Sequence, residues 1–92
     1  MTFEFREYEQ FPESAQETLR EYVTNGRPMG DFLTAVASND LFNAVGRADE
    51  TNRPLIPRYV QWFYNRAPVG SWGSPELVKK WLAHKGLSGA PN

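Results

Sequence analysis

Residues 12–26 read Pro-Glu-Ser-Ala-Gln-Glu-Thr-Leu-Arg-Glu-Tyr-Val-Thr-Asn-Gly, and this stretch decides the fold class. Proline is at home in the first turn of a helix, where its missing N–H would find no partner anyway. Glycine suits the left-handed residue just past a helix end. Between them Ala15, Leu19, Tyr22 and Val23 recur at helical spacing. The pattern predicts an amphipathic helix from about Pro12 to Asn25.

The same punctuation continues downstream. A second helix is expected from Pro28 or Asp31, carrying Phe32, Leu33, Val36 and Ala37. Ser38-Asn39-Asp40 offers caps for a short third helix with Leu41, Phe42, Ala44 and Val45 as its apolar side. A fourth is expected over Arg53–Arg66, with Leu55, Ile56, Tyr59, Val60 and Phe63 as its buried stripe. Pro57 is tolerable there only if the helix has just begun. Ser74-Pro75-Glu76 combines a cap, a first-turn proline and an acid beside the positive helix end. The helix it starts carries Leu77, Val78, Trp81 and Leu82 and stops at Gly86. Upstream, residues 2–8 alternate Phe3 and Phe5 with polar residues, an extended pattern that can lie across the helices or pair with a second copy.

The fold class is therefore mainly α: a compact bundle of about five short helices with a short extended N-terminal segment. All 92 residues are read as one domain, with residues 1–11 extended, 12–86 helical and 87–92 frayed.

Charge is unevenly placed. The chain carries net −1, yet residues 1–25 hold six glutamates against two arginines, and the rest holds eight Lys or Arg against five acids. Glu13, Glu17 and Glu21 fall four residues apart and form one stripe, with Glu7 and Glu9 just upstream. A solvated helix face explains such a stripe, and so does a surface for a basic protein or ribonucleoprotein. Trp72, in a Gly-Ser-Trp-Gly loop, suits either an interface anchor or a lid on a small core.

Catalytic and metal chemistry find little to work with. The chain has no cysteine and one histidine, His84, at the expected end of the last helix. Asp40, Asp49 and Glu50 could form an acid–base pair or hold Mg²⁺, but capping is the better reading, by Asn39 or Asp40 for the third helix and by Asp49 or Asn52 for the fourth, with Arg47 able to pair with an acid. No enzymatic activity, cofactor or metal is expected. Neither a membrane span nor a signal peptide is legible, so a cytoplasmic location is expected. Residues 31–48 can be drawn as a helix–turn–helix, giving a DNA-binding or transcriptional accessory as the alternative function. Its second helix offers only Asn43 and Arg47 to bases, and the net charge gives nucleic acid little reason to bind. A homodimer could form through residues 2–8 or through exposed aromatics such as Trp62 and Tyr64.

From about Gly26 to Leu82 the chain resembles short uncharacterised proteins carried by phages and prophages. The likeness rests on Gly-Arg-Pro-Met-Gly-Asp-Phe-Leu-Thr-Ala-Val (26–36), Asn-Asp-Leu (39–41), Gly-Arg-Ala-Asp-Glu-Thr-Asn (46–52), Tyr-Asn-Arg-Ala-Pro (64–68) and Trp-Gly-Ser-Pro-Glu (72–76). What the resemblance implies is a context. Small phage proteins often occupy a host protein, as anti-CRISPR proteins do, commonly with acidic faces. The function expected on that analogy is stoichiometric inhibition of a host defence complex. The candidate contacts are Glu7, Glu9, Glu13, Glu17, Glu21 and Trp72.

Overall fold

A computed structural model describes residues 3–89. These fold into five α-helices: α1 (Glu13–Asn25), α2 (Asp31–Ala37), α3 (Leu41–Arg47), α4 (Ile56–Arg66) and α5 (Pro75–Ala83). Three 3-10 turns, Tyr8–Gln10, Arg53–Leu55 and Gly86–Ser88, join or flank them. No strand occurs among the described residues. The mainly α bundle is thus what the helical spacing predicts.

α1 buries Ala15, Leu19, Tyr22 and Val23, the four residues its period assigns to the core. Its end is fixed twice over. Gly26 sits at φ 66°, and the N–H groups of Gly26 and Arg27 donate to the carbonyls of Tyr22 and Glu21. This double closure satisfies carbonyls that the helix leaves free. Gly26 also meets the Gly86 turn face to face. A Cβ on Gly26 would lie 2.7 Å from the Gly86 nitrogen, and one on Gly86 would lie 2.6 Å from the Val23 carbonyl oxygen. Two glycines that read as helix stops therefore also let the C-terminal turn close against α1.

The N-terminal segment lies across α4. Trp62 donates its indole N–H to the Arg6 carbonyl at 2.7 Å, and Arg66 donates to the Glu7 carboxylate at 2.7 Å. Phe11 stacks on Tyr59 with ring centres 4.0 Å apart. Phe3 and Phe5 are partly buried against the core of the same chain. Trp62, expected as an exposed aromatic, is 2% exposed because that segment covers it.

The expected fourth helix divides at Leu55, giving a 3-10 turn and then α4. The division places Pro57 in the first turn of α4, where it interrupts no backbone bond. α4 buries Ile56, Tyr59, Trp62 and Phe63, while Val60 is left on the surface. In α5, Ser74 caps the Leu77 N–H, Val78 is buried, and Trp81 and Leu82 are half-buried. Leu77, expected in that buried stripe, is exposed. Residues 86–88 form a turn rather than a frayed tail, and residues 90–92 lie outside the described chain.

Candidate functional site

The expected contact residues fall into three places. Glu7, at φ 62°, is held by Arg66, and accepting that hydrogen bond keeps its carboxyl below the usual range. Glu21 accepts from Arg27 at 3.1 Å and from Asn25 at 3.2 Å. Glu7 and Glu21 thus have their cations within the chain. Glu9 is exposed in the first 3-10 turn. Glu13 and Glu17 have no ion-pair partner among the described residues and line a shallow depression with Gln16, Arg20 and Glu21. Arg20, on the edge of the same depression, donates to the Tyr8 hydroxyl at 2.7 Å.

Trp72 belongs to a different surface. Its loop is anchored from below: Tyr22 donates to the Ser71 carbonyl at 2.7 Å, and the Gly73 N–H donates to the Ala37 carbonyl at 2.7 Å. Ser71 is fully buried. The half-buried Trp72 ring then stands 5.6 Å from Tyr64 of α4. Together with Val36, Asn39, Val60, Gln61, Phe63 and Gly73 these rings line an open groove of about 370 Å³. A smaller recess between α2, α3 and α4 continues it, sharing Val36, Asn39 and Val60 and adding Leu41 and Ala44.

The groove is flanked by α3, and here the structure corrects the sequence. Periodicity gives α3 a buried apolar side of Leu41, Phe42, Ala44 and Val45. Only Ala44 is buried; Leu41 is 64% exposed, Phe42 92% and Val45 42%. The helix is well formed nonetheless. Asp40 caps it by accepting the Asn43 N–H at 3.2 Å and the Asn43 side-chain amide at 2.6 Å. The side-chain bond from Asn43 is the main reason the Asp40 carboxyl sits below its ordinary range. The result is a capped two-turn helix with its apolar ridge facing outward, beside an apolar groove.

The other candidates resolve structurally. Asp49 accepts the Asn52 N–H at 2.7 Å and so closes the turn before residues 53–55, whereas neither that 3-10 turn nor α4 receives the side-chain cap expected of Asp49 or Asn52. Arg47 pairs with Asp31 at 3.1 Å, rather than with Asp49 or Glu50. In the helix–turn–helix reading, both side chains available to bases are thereby engaged, Asn43 with Asp40 and Arg47 with Asp31. His84 is exposed, its Nδ1 3.1 Å from the Gly86 carbonyl oxygen. Among the described residues no group of three or more His, Cys, Asp or Glu is placed to hold a metal. Among the described residues no helix is long and apolar enough to cross a membrane.

No match to this chain was found among known protein families, curated proteins or solved structures.

What the sequence passes over is the outward ridge of Leu41, Phe42 and Val45 with Val60 beside it. One signal for it is present. Four apolar residues in a seven-residue helix exceed what one narrow buried side can take, and the position that packs inward is an alanine.

Proposed function

We propose that this chain is a protein-binding module without catalytic activity, and that its contact surface is the α3–α4 face. The observation that carries this reading is Phe42, 92% exposed on a capped helix beside Leu41, which lines a recess continuous with the Tyr64–Trp72 groove. Apolar surface of this kind gains about 25 cal/mol per Å² when it leaves water. Contiguous patches of it on soluble chains mark interaction sites. Phe, Tyr and Trp are also the residues that interfaces favour as anchors.

The test is a capture experiment in a lysate that also contains untagged copies of the chain. Tagged wild type should retain a protein, host or copy, that a Phe42→Asp, Tyr64→Asp double variant does not. Equal retention by both, or retention of nothing by the wild type, would overturn the reading.

A second reading concerns the acidic stripe. It is favoured by Glu13 and Glu17, which carry no ion-pair partner among the described residues and open onto solvent. A basic protein surface is the matching partner. In the phage context that the resemblance implies, that partner is a nucleic-acid-binding host defence complex in the bacterial cytoplasm, inhibited by occupation. Glu13→Lys with Glu17→Lys should abolish inhibition of target cleavage by the isolated complex. Inhibition undiminished by both changes rejects the stripe as the contact.

A further inference from the structure

We infer that the occupant of the α3–α4 face is a second copy of this chain, in a two-fold dimer. The ridge of α3 from each copy would seat in the groove beside α4 of the other. This rests on the reading of that face as a contact surface and names what covers it.

Shape is the first argument. A two-fold interface uses the same patch on both partners, so that patch must complement itself. Here a convex element and a concave one lie side by side. The ridge is Leu41, Phe42 and Val45, and the groove runs between Val60, Tyr64 and Trp72. Leu41 and Val60 line the same small recess, so ridge and groove are continuous. A partner of unrelated shape would need only one of the two.

Charge is the second argument. The groove residues Val36, Asn39, Val60, Gln61, Phe63, Tyr64, Trp72 and Gly73 include no ionisable acid or base apart from the phenol of Tyr64. Asp40, which lines the adjoining recess, is engaged as the α3 cap through two hydrogen bonds from Asn43. The groove walls and the ridge residues Leu41, Phe42 and Val45 carry no formal charge, so the surfaces that two copies press together set no like charges directly against each other. The acidic depression on α1 shares no residue with this face. Nothing in the groove offers a strongly acidic or basic partner a counter-charge.

Area is the third. Aromatic side chains bring roughly 150–250 Å² each into an interface. At the fractions exposed here, Phe42, Tyr64, Leu41, Val45 and Val60 present on the order of 600 Å². A standard interface takes about 800 Å² per partner, so this face falls at the weaker end of specific association. Dimerisation is accordingly expected between about 1 µM and about 1 mM.

Sedimentation equilibrium across that range tests the inference. The wild-type mass should rise from one chain to two. Phe42→Asp should weaken association at least about thirtyfold, the effect of losing one central anchor. Val69→Asp is the matched control. Val69 is 97% exposed but lines neither part of the groove, so the same added charge there should leave association within about twofold. Circular dichroism in dilute solution confirms that each variant is folded, and Tyr64→Asp replaces Phe42→Asp if the latter is not. A wild type that stays monomeric throughout overturns the inference. Equal weakening by Val69→Asp, or none by Phe42→Asp, overturns it too. A monomeric wild type that still captures a host protein through Phe42 assigns the face to a different chain and leaves the proposed function standing.

Discussion

α1 and α3 are both amphipathic, and they are turned opposite ways. α1 places Leu19, Tyr22 and Val23 at 0% exposure and leaves Glu13 and Glu17 in water. α3 buries a single alanine and leaves its three large apolar residues in water. The apolar side of α1 is consumed by the fold, whereas α3 gives the core only Ala44 and leaves much of Leu41, Phe42 and Val45 uncovered. Charge draws attention to α1, but a charged helix face in water is the ordinary result of folding. An apolar ridge in water is the feature that folding leaves unexplained.

The widest separation between the two helices should come from truncating each. Leu19→Ala should cost about 2–5 kcal/mol, since Leu19 is enclosed on all sides. Phe42→Ala, measured by chemical denaturation in dilute solution, should stay within about 0.5 kcal/mol. Comparable losses would place Phe42 in a core and erase the contrast.

High pH should reach the α1 side next. Burial raises the Tyr22 phenol well above its ordinary value of 10.0 and pushes Tyr59 up to about 12. Between pH 10 and 12 the unfolded chain releases these protons and the folded chain keeps them, so stability falls as pH rises. The thermal midpoint should be level from about pH 7 to 9 and drop above pH 10. Tyr22→Phe should shrink that drop; an unchanged profile in the variant would contradict the assignment to Tyr22.

On the α3 side, Asp40→Ala removes the cap and should lower the denaturation midpoint, by less than Leu19→Ala does. It should also weaken self-association, because it loosens the helix that carries the ridge. A stability loss with no change in association would separate the ridge from its helix. The smallest effect belongs to the stripe. Glu17→Gln relieves like-charge spacing with Glu13 and Glu21 and should stabilise the chain by a few tenths of a kcal/mol in low salt. A clear destabilisation would mean that Glu17 has a partner within the fold.

Most of the architecture is legible in the residues because it is set locally. Pro12, Gly26, Asp40, Ser74 and Pro75 act within a turn or two of themselves, and α1, α3 and α5 begin or end beside them. What is not legible depends on distant partners. Trp62 reads as a surface aromatic until residues 3–11 are laid over it, a contact across 56 positions. Glu7 and Glu21 read as free acids until Arg66 and Arg27 fold against them. Leu41, Phe42 and Val45 read as core because periodicity shows which residues share a side, not whether that side faces inward. Trp72 illustrates both cases: its place in a loop is plain from the glycines around it, but the groove it lines needs Tyr64 and Val36 beside it.

Amide hydrogen exchange followed against protein concentration tests the central claim most directly, since it reads α1 and α3 in one experiment. With association through the α3–α4 face, residues 41–47 and 60–64 should exchange more slowly as concentration rises, while residues 13–21 keep the same rate. Protection that grows on α1 instead, or on neither helix, would contradict the account.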